Sequence, residues 1–120
     1  TLFRSQLNAR VTPKGGETVI VKNYPNSFRN TSLSEILRRM GIDHLVICGA
    51  MSHMCIDATT RAAFDLGFNC AVAEDACATK DLFFNGNTIK APEVHAVFMA
   101  ALSYPYARVG STKEIIKEMA

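Results

Sequence analysis

No apolar stretch in the sequence approaches the roughly 18–20 residues that a membrane-spanning helix needs, so no membrane partner is expected. No concentrated basic face is visible either. The longest basic run is Arg38–Arg39, and 13 Lys and Arg against 11 Asp and Glu leave a formal charge of +2. Recognition of nucleic acid needs clustered positive charge, so nucleic acid is not an expected partner, and Arg38–Arg39 reads as a solvated helix face. Residues 1–10 lack a basic region followed by an apolar run, which argues against a secretory signal. They also lack an initiator Met, and the chain is expected to begin in mid-gene. There is no Cys-x-x-Cys, and His44, His53 and His95 form no ligand-spaced pairs, so neither a metal nor a cofactor is expected. The four cysteines, Cys48, Cys55, Cys70 and Cys77, are even in number. Without a secretory signal or a small loop-rich scaffold they are expected reduced, in a cytoplasmic protein.

What is present is an ordinary globular composition: 120 residues, 48% hydrophobic and 20% charged, enough for one domain with its own core. Four segments read as helices. Residues 32–40 open on a Ser32/Glu35 capping box, carry Leu33, Ile36, Leu37 and Met40, and stop at Gly41. A second runs from about residue 53 to Leu66, with Ile56, Thr59, Ala63 and Leu66 on one side and Gly67 as its stop. Residues 92–103 start at Pro92 and carry a stripe of Val94, Val97, Phe98, Ala101 and Leu102. Residues 111–119 open on a second capping box, Ser111 and Glu114. Between them lie short continuous apolar runs at 18–21, 44–48, 69–73 and 107–109, the pattern of strands buried on both faces. The alternation predicts a three-layer α/β/α domain with a mostly parallel sheet and right-handed crossovers. Residues 80–91 are expected to be a polar loop, long enough for a lid or an interface segment.

In open parallel sheets the ligand site lies beyond the carboxyl ends of the strands. Lys22 follows the first predicted strand, residues 49–55 follow the second and Glu74–Asp75 the third. A cysteine where a strand turns into a helix meets unpaired N–H groups and the positive end of the helix dipole, and both stabilise a thiolate. A lysine on the same rim would add a full positive charge, and the N–H groups of the tight turn could bind an oxyanion. These are parts for acyl transfer through a thioester. The bland alternatives are a buried small hydrophobe for Cys55 and an exposed strand-end cation for Lys22. Cys48, Cys70 and Cys77 read as core or near-core residues. His53 could act as a base, cap the helix or face a substrate, and His95 falls on the polar side of its helix.

Taken in order, these segments resemble the isochorismatase-like cysteine hydrolases, which include nicotinamidase, N-carbamoylsarcosine amidase, streptothricin hydrolase and isochorismatase. The resemblance is carried by Val19-Ile20-Val21-Lys22 with Asn26-Ser27-Phe28, and by Gly49-Ala50-Met51-Ser52-His53-Met54-Cys55-Ile56. It continues through Ala58-Thr59, Arg61-Ala62-Ala63 and Gly67-Phe68 to Glu74-Asp75-Ala76-Cys77-Ala78-Thr79, covering about residues 13–109. It implies an Asp–Lys–Cys triad in which Cys55 is the nucleophile and Lys22 the lysine. It also implies a cis peptide at Ala50–Met51, an oxyanion hole formed by the N–H groups of Met51 and Cys55, and a substrate pocket near Asn26, Phe28 and His53. The family's aspartate lies on an N-terminal strand, and no such run precedes Lys22; the first Asp of the sequence, Asp43, sits at the opposite end of the sheet. The Asp-x-His metal pattern of the nicotinamidases is absent as well.

The expected activity is therefore hydrolysis of a C–N, amide-type bond of a small molecule through a Cys55 thioester. Two alternatives stay open: a binding or assembly module that keeps the fold without catalysis, and an isochorismatase-type cleavage of a vinyl ether. The domain is expected to span residues 1–120 and to be partial at its amino terminus. The family's habit of dimers or higher homo-oligomers is expected here too, with Phe83 and Phe84 as candidate contacts.

Overall fold

A computed structural model describes residues 7–120. The element order is α1 (Leu33–Arg39), β1 (His44–Ala50), α2 (Asp57–Asp65), β2 (Asn69–Ala78), β3 (Leu82–Phe84), β4 (Asn87–Ile89), α3 (Ala91–Leu102), β5 (Arg108–Gly110) and α4 (Thr112–Met119). Strands β1, β2 and β5 form a parallel sheet in that order, and β3 and β4 form a separate antiparallel hairpin. Parallel neighbours need crossovers, and α2 and α3 supply them. Ile56, Val72, Met99 and Leu102 are the buried centre of the core, with Ile47, Cys77, Tyr106, Ala107 and Val109 packed around them.

Three features differ from the sequence-based expectation. Residues 18–21 run without a ladder partner among the described residues, and Val19 and Val21 are 56% and 67% exposed. Their β-branched side chains favour extended backbone, but a strand also needs a neighbouring edge, which is a tertiary condition. Second, residues 80–91 contain the β3–β4 hairpin. Its turn is Asn85–Gly86, with φ of +51° and +77°, the backbone a two-residue type I′ connection requires. Third, helix α3 is rolled away from its predicted stripe. Val94, Met99 and Leu102 are buried, while Val97 is 62% exposed.

The caps follow the same mixture. Ser111 and Glu114 form their box, the Ser111 hydroxyl accepting from the Glu114 N–H and the Glu114 carboxylate accepting from the Ser111 N–H. The Ser32/Glu35 box does not close, because Glu35 pairs with Arg39 one turn on.

Strand β2 carries the irregularity that matters most. Ile47 pairs with Val72 and Gly49 with Cys77, so β2 spends the whole Ala73–Ala76 stretch opposite the single residue Cys48. This bulge pushes Glu74 and Asp75 out of the ladder. Gly49, opposite it, has φ of +131°, a conformation that only glycine holds without strain.

The Asp75 carboxylate accepts from both the N–H and the hydroxyl of Thr112, capping α4 from outside that helix. Asp81 caps α3 in the same way, accepting from the Ala91 N–H at 2.8 Å. These hydrogen bonds hold both carboxyls below the ordinary range. A carboxyl depressed in the folded state stabilises the fold above its unfolded value of about 3.9, and that contribution is lost as pH falls through the lower folded value. Thermal midpoints should therefore drop as pH falls below about 4, and drop less steeply in Asp75→Asn than in the parent. Circular dichroism melts across that range check this, and parallel slopes for the two proteins would contradict the capping role.

Candidate active site

Strand β1 ends at Ala50, and the next peptide, Ala50–Met51, is cis. A wide helical turn, Ser52–Ile56, then leads into α2. The Met51 carbonyl receives the N–H groups of Met54 at 3.0 Å and Ile56 at 3.2 Å, which curls the chain back on itself. Ile56 is buried in the core and contributes about 2 kcal/mol of apolar transfer, enough to fix that end of the turn. Cys55, one residue earlier, is half-buried and reduced.

Lys22 reaches this turn from the extended segment. Its Nζ lies 3.3 Å from Cys55 Sγ, 2.8 Å from the Tyr24 carbonyl and 3.3 Å from the Pro25 carbonyl. The two carbonyls orient the ammonium group, and the sulfur completes its coordination. Among the described residues no carboxylate forms an ion pair with Lys22.

The segment that carries Lys22 is tied down by Thr59, four residues after Cys55 and on the same helical face. The Thr59 hydroxyl accepts from the Ser27 N–H at 3.0 Å and lies 3.2 Å from the Pro25 carbonyl and 2.9 Å from Ser27 Oγ. One helix therefore presents both the sulfur and the tether that brings the cation to it. Thr59 lies in the stripe that helical spacing predicts to be apolar, and nothing in that spacing points to this contact.

The remaining candidate residues are placed as follows. His53 is in the turn itself, with Nδ1 2.7 Å from Thr79 Oγ1 and its ring edge-on to Phe98 at 6.1 Å. Asn26 accepts the Phe28 N–H at 2.9 Å, so its oxygen is spent within its own turn. The Phe28 ring stacks on Phe68 at 5.9 Å. Neither side chain is hydrogen-bonded to Cys55 or Lys22 among the described residues. Cys48, expected in the core, is exposed; β1 has no sheet neighbour on its far side among the described residues. Cys70 and Cys77 are half-buried, and burial pushes both thiols up. Among the described residues no group of His, Cys, Asp or Glu has the geometry to hold a metal ion.

A cysteine at a strand-to-helix turn, beyond the carboxyl edge of a parallel sheet and against a lysine, defines a candidate thiol-hydrolase centre on an α/β scaffold. The chain belongs to the isochorismatase family: the family model described as "Isochorismatase domain" matches residues 4–114. The chain is 49% identical over 112 residues to the isochorismatase family protein YddQ of Bacillus subtilis, covering 93% of this chain and 62% of that protein. It is 32% identical over 117 residues to streptothricin hydrolase of Streptomyces noursei, covering 96% of this chain and 40% of the relative. Among solved structures, an isochorismatase-hydrolase relative from Oleispira antarctica superposes with a TM-score of 0.89 at 56% identity, over 92% of this chain and 58% of that one. A cysteine hydrolase from Pseudomonas syringae, at 22% identity, shares the fold with a TM-score of 0.91. The chain thus spans about three-fifths or less of these relatives' lengths.

The Lys22 contact predicts how Cys55 differs from the two other half-buried cysteines. Iodoacetamide at neutral pH should modify Cys55 ahead of Cys70 and Cys77, whose thiols are held up by burial. Lys22→Met should slow Cys55 on the order of tenfold and leave the others unchanged. Peptide mapping by mass spectrometry reads both; equal Cys55 rates in the two proteins would remove the ammonium from the account.

Proposed function

We propose that this chain carries the nucleophilic half of an amide hydrolase acting on small molecules through a thioester on Cys55. The observation that supports the reading most is the 3.3 Å approach of Lys22 Nζ to Cys55 Sγ at the strand–helix turn. The name of one relative agrees with amide chemistry, the ureidoacrylate amidohydrolase RutB of Klebsiella pneumoniae, 41% identical over 71 residues, and that of streptothricin hydrolase with hydrolysis.

The Cys55 thiol gives its proton to a carboxylate, which the family resemblance assigns to a strand outside these 120 residues. Lys22 holds the resulting thiolate by charge. The sulfur attacks the amide carbonyl, forming the C–S bond while the carbonyl electrons move to oxygen. The N–H groups of Met51 and Cys55 receive that oxyanion. Collapse breaks the C–N bond, and the amine leaves with the proton returned by the carboxylic acid. Water, deprotonated by the same carboxylate, then attacks the thioester and releases the acid and the free thiol. General-base help of this kind is worth about 10²–10⁴-fold.

The test uses p-nitrophenyl acetate, an activated acyl donor. Acetylation should map to Cys55, be reversed by hydroxylamine, and be lost in Cys55→Ala, with p-nitrophenol release falling on the order of 10²-fold or more. Adducts confined to other residues, or release unchanged in Cys55→Ala, would falsify the nucleophile assignment.

We also propose that the working form is a homo-oligomer. Phe83 and Phe84, each 77% exposed on the β3–β4 hairpin, support this as a cover-seeking apolar tip. The Phe83→Ser, Phe84→Ser double variant should shift to lower mass in multi-angle light scattering; an unchanged mass removes the hairpin from the interface.

A further inference from the structure

Behind the nucleophile turn lies a chain of polar groups that the mechanism above does not use. Ser52, the residue after Met51, is fully buried. Its Oγ lies 2.8 Å from His95 Nδ1 on α3 and 3.4 Å from the Ala78 carbonyl at the end of β2. The other ring nitrogen, His95 Nε2, is 3.7 Å from Glu74 Oε2, a carboxylate carried out of the ladder by the β2 bulge. The ring is three-quarters shielded from solvent. Three elements therefore converge on one buried hydroxyl: the turn itself, α3 and β2.

We infer that His95 is a positioning residue for the oxyanion donors, acting through Ser52, with the Glu74 carboxylate 3.7 Å away biasing its tautomer by charge. This rests on the Cys55 reading. A carboxylate facing Nε2 favours the tautomer with its proton there, leaving the Nδ1 lone pair to accept from the Ser52 hydroxyl. A buried hydroxyl without a partner is costly, so this hydrogen bond decides where Ser52 sits. Met51 is bonded directly to Ser52. Its carbonyl is engaged by Met54 and Ile56, and its N–H is one of the two proposed oxyanion donors. Pinning Ser52 from α3 and β2 holds the Met51–Ser52 peptide from outside the turn and so anchors the Met51 Cα, from which the Ala50–Met51 peptide presents the donor N–H; less reorganisation is then needed when charge develops. His95 touches no reacting atom in this scheme.

Two reagents separate this role from general support of Cys55. Acetylation by p-nitrophenyl acetate passes through a tetrahedral oxyanion. Alkylation by iodoacetamide displaces iodide at a saturated carbon and forms none. In the full chain, His95→Ala should slow acetylation of Cys55 on the order of tenfold while changing its alkylation less than about twofold. His95→Asn, whose amide oxygen can accept from Ser52 near the place of Nδ1, should restore most of the acetylation rate. Hydrogen exchange gives a readout independent of chemistry: the amides of residues 51–55 should exchange faster in His95→Ala and at the parental rate in His95→Asn. The inference is overturned if both reactions slow together, if neither changes, or if exchange in the turn is unaffected. Release of p-nitrophenol unchanged in Cys55→Ala is a different failure, that of the nucleophile reading, and the exchange experiment still decides the role of His95.

Discussion

The Lys22 ammonium and the Cys55 sulfur sit 3.3 Å apart, yet they come from segments that share no ladder hydrogen bonds. A contact of this kind is only as good as the geometry on each side of it. On the sulfur side the turn is closed by its own backbone at Met51 and nailed into the core by Ile56. On the nitrogen side the chain is extended and its valines are exposed, so packing of that segment supplies little. What holds it is the set of hydrogen bonds made by Thr59, one helical turn on from Cys55. The carbonyls of Tyr24 and Pro25 then aim the ammonium group. Because α2 carries both Cys55's turn and the Thr59 tether, displacement of the helix moves both halves of the contact together.

The β2 bulge works on the opposite side of the same turn. A regular parallel ladder would keep Glu74 and Asp75 in register beside β1, alternating between sheet faces. Releasing four residues opposite one lets Asp75 reach the amino end of α4 and Glu74 reach His95. One irregularity thus contributes to stability at one helix and to orientation at another. Its cost is carried by Gly49, whose φ of +131° would strain any side-chain-bearing residue even though a Cβ would meet only Ile56 at 3.7 Å.

The helices and three of the four predicted strands were legible in the sequence because each has a local signature. Gly41 and Gly67 end helices, Ser111 and Glu114 begin one, and the runs at 44–48, 69–73 and 107–109 are short and mostly apolar, which marks them as strands; their burial was not legible, since β1 is exposed or half-buried throughout and only Val72 and Ala73 of these runs are buried. The run at 18–21 has the same composition and no ladder, since pairing depends on a partner edge that composition does not encode. The Asn85–Gly86 hairpin was readable in principle; the signal lay inside a segment whose length and polarity pointed to a loop. Cys55 and Lys22 were legible as candidates from their positions at strand ends, and the order of motifs pointed to one site.

His95 shows where periodicity runs out. Helix α3 reads Ala-Pro-Glu-Val-His-Ala-Val-Phe-Met-Ala-Ala-Leu, apolar over so much of its circumference that several faces could serve as the buried one. With the stripe drawn through Val97 and Ala101, His95 falls outside it. The structure buries Val94, Met99 and Leu102, and this roll puts His95 on the side facing the Ser52 hydroxyl. The phase of a broadly apolar helix is set by what it packs on, and here that is a turn with one buried polar group to satisfy. A hydrocarbon side chain at position 95 would leave Ser52 with only the Ala78 carbonyl at 3.4 Å, a weak partner for a fully buried donor. The histidine is therefore explained by the buried hydroxyl that it partners.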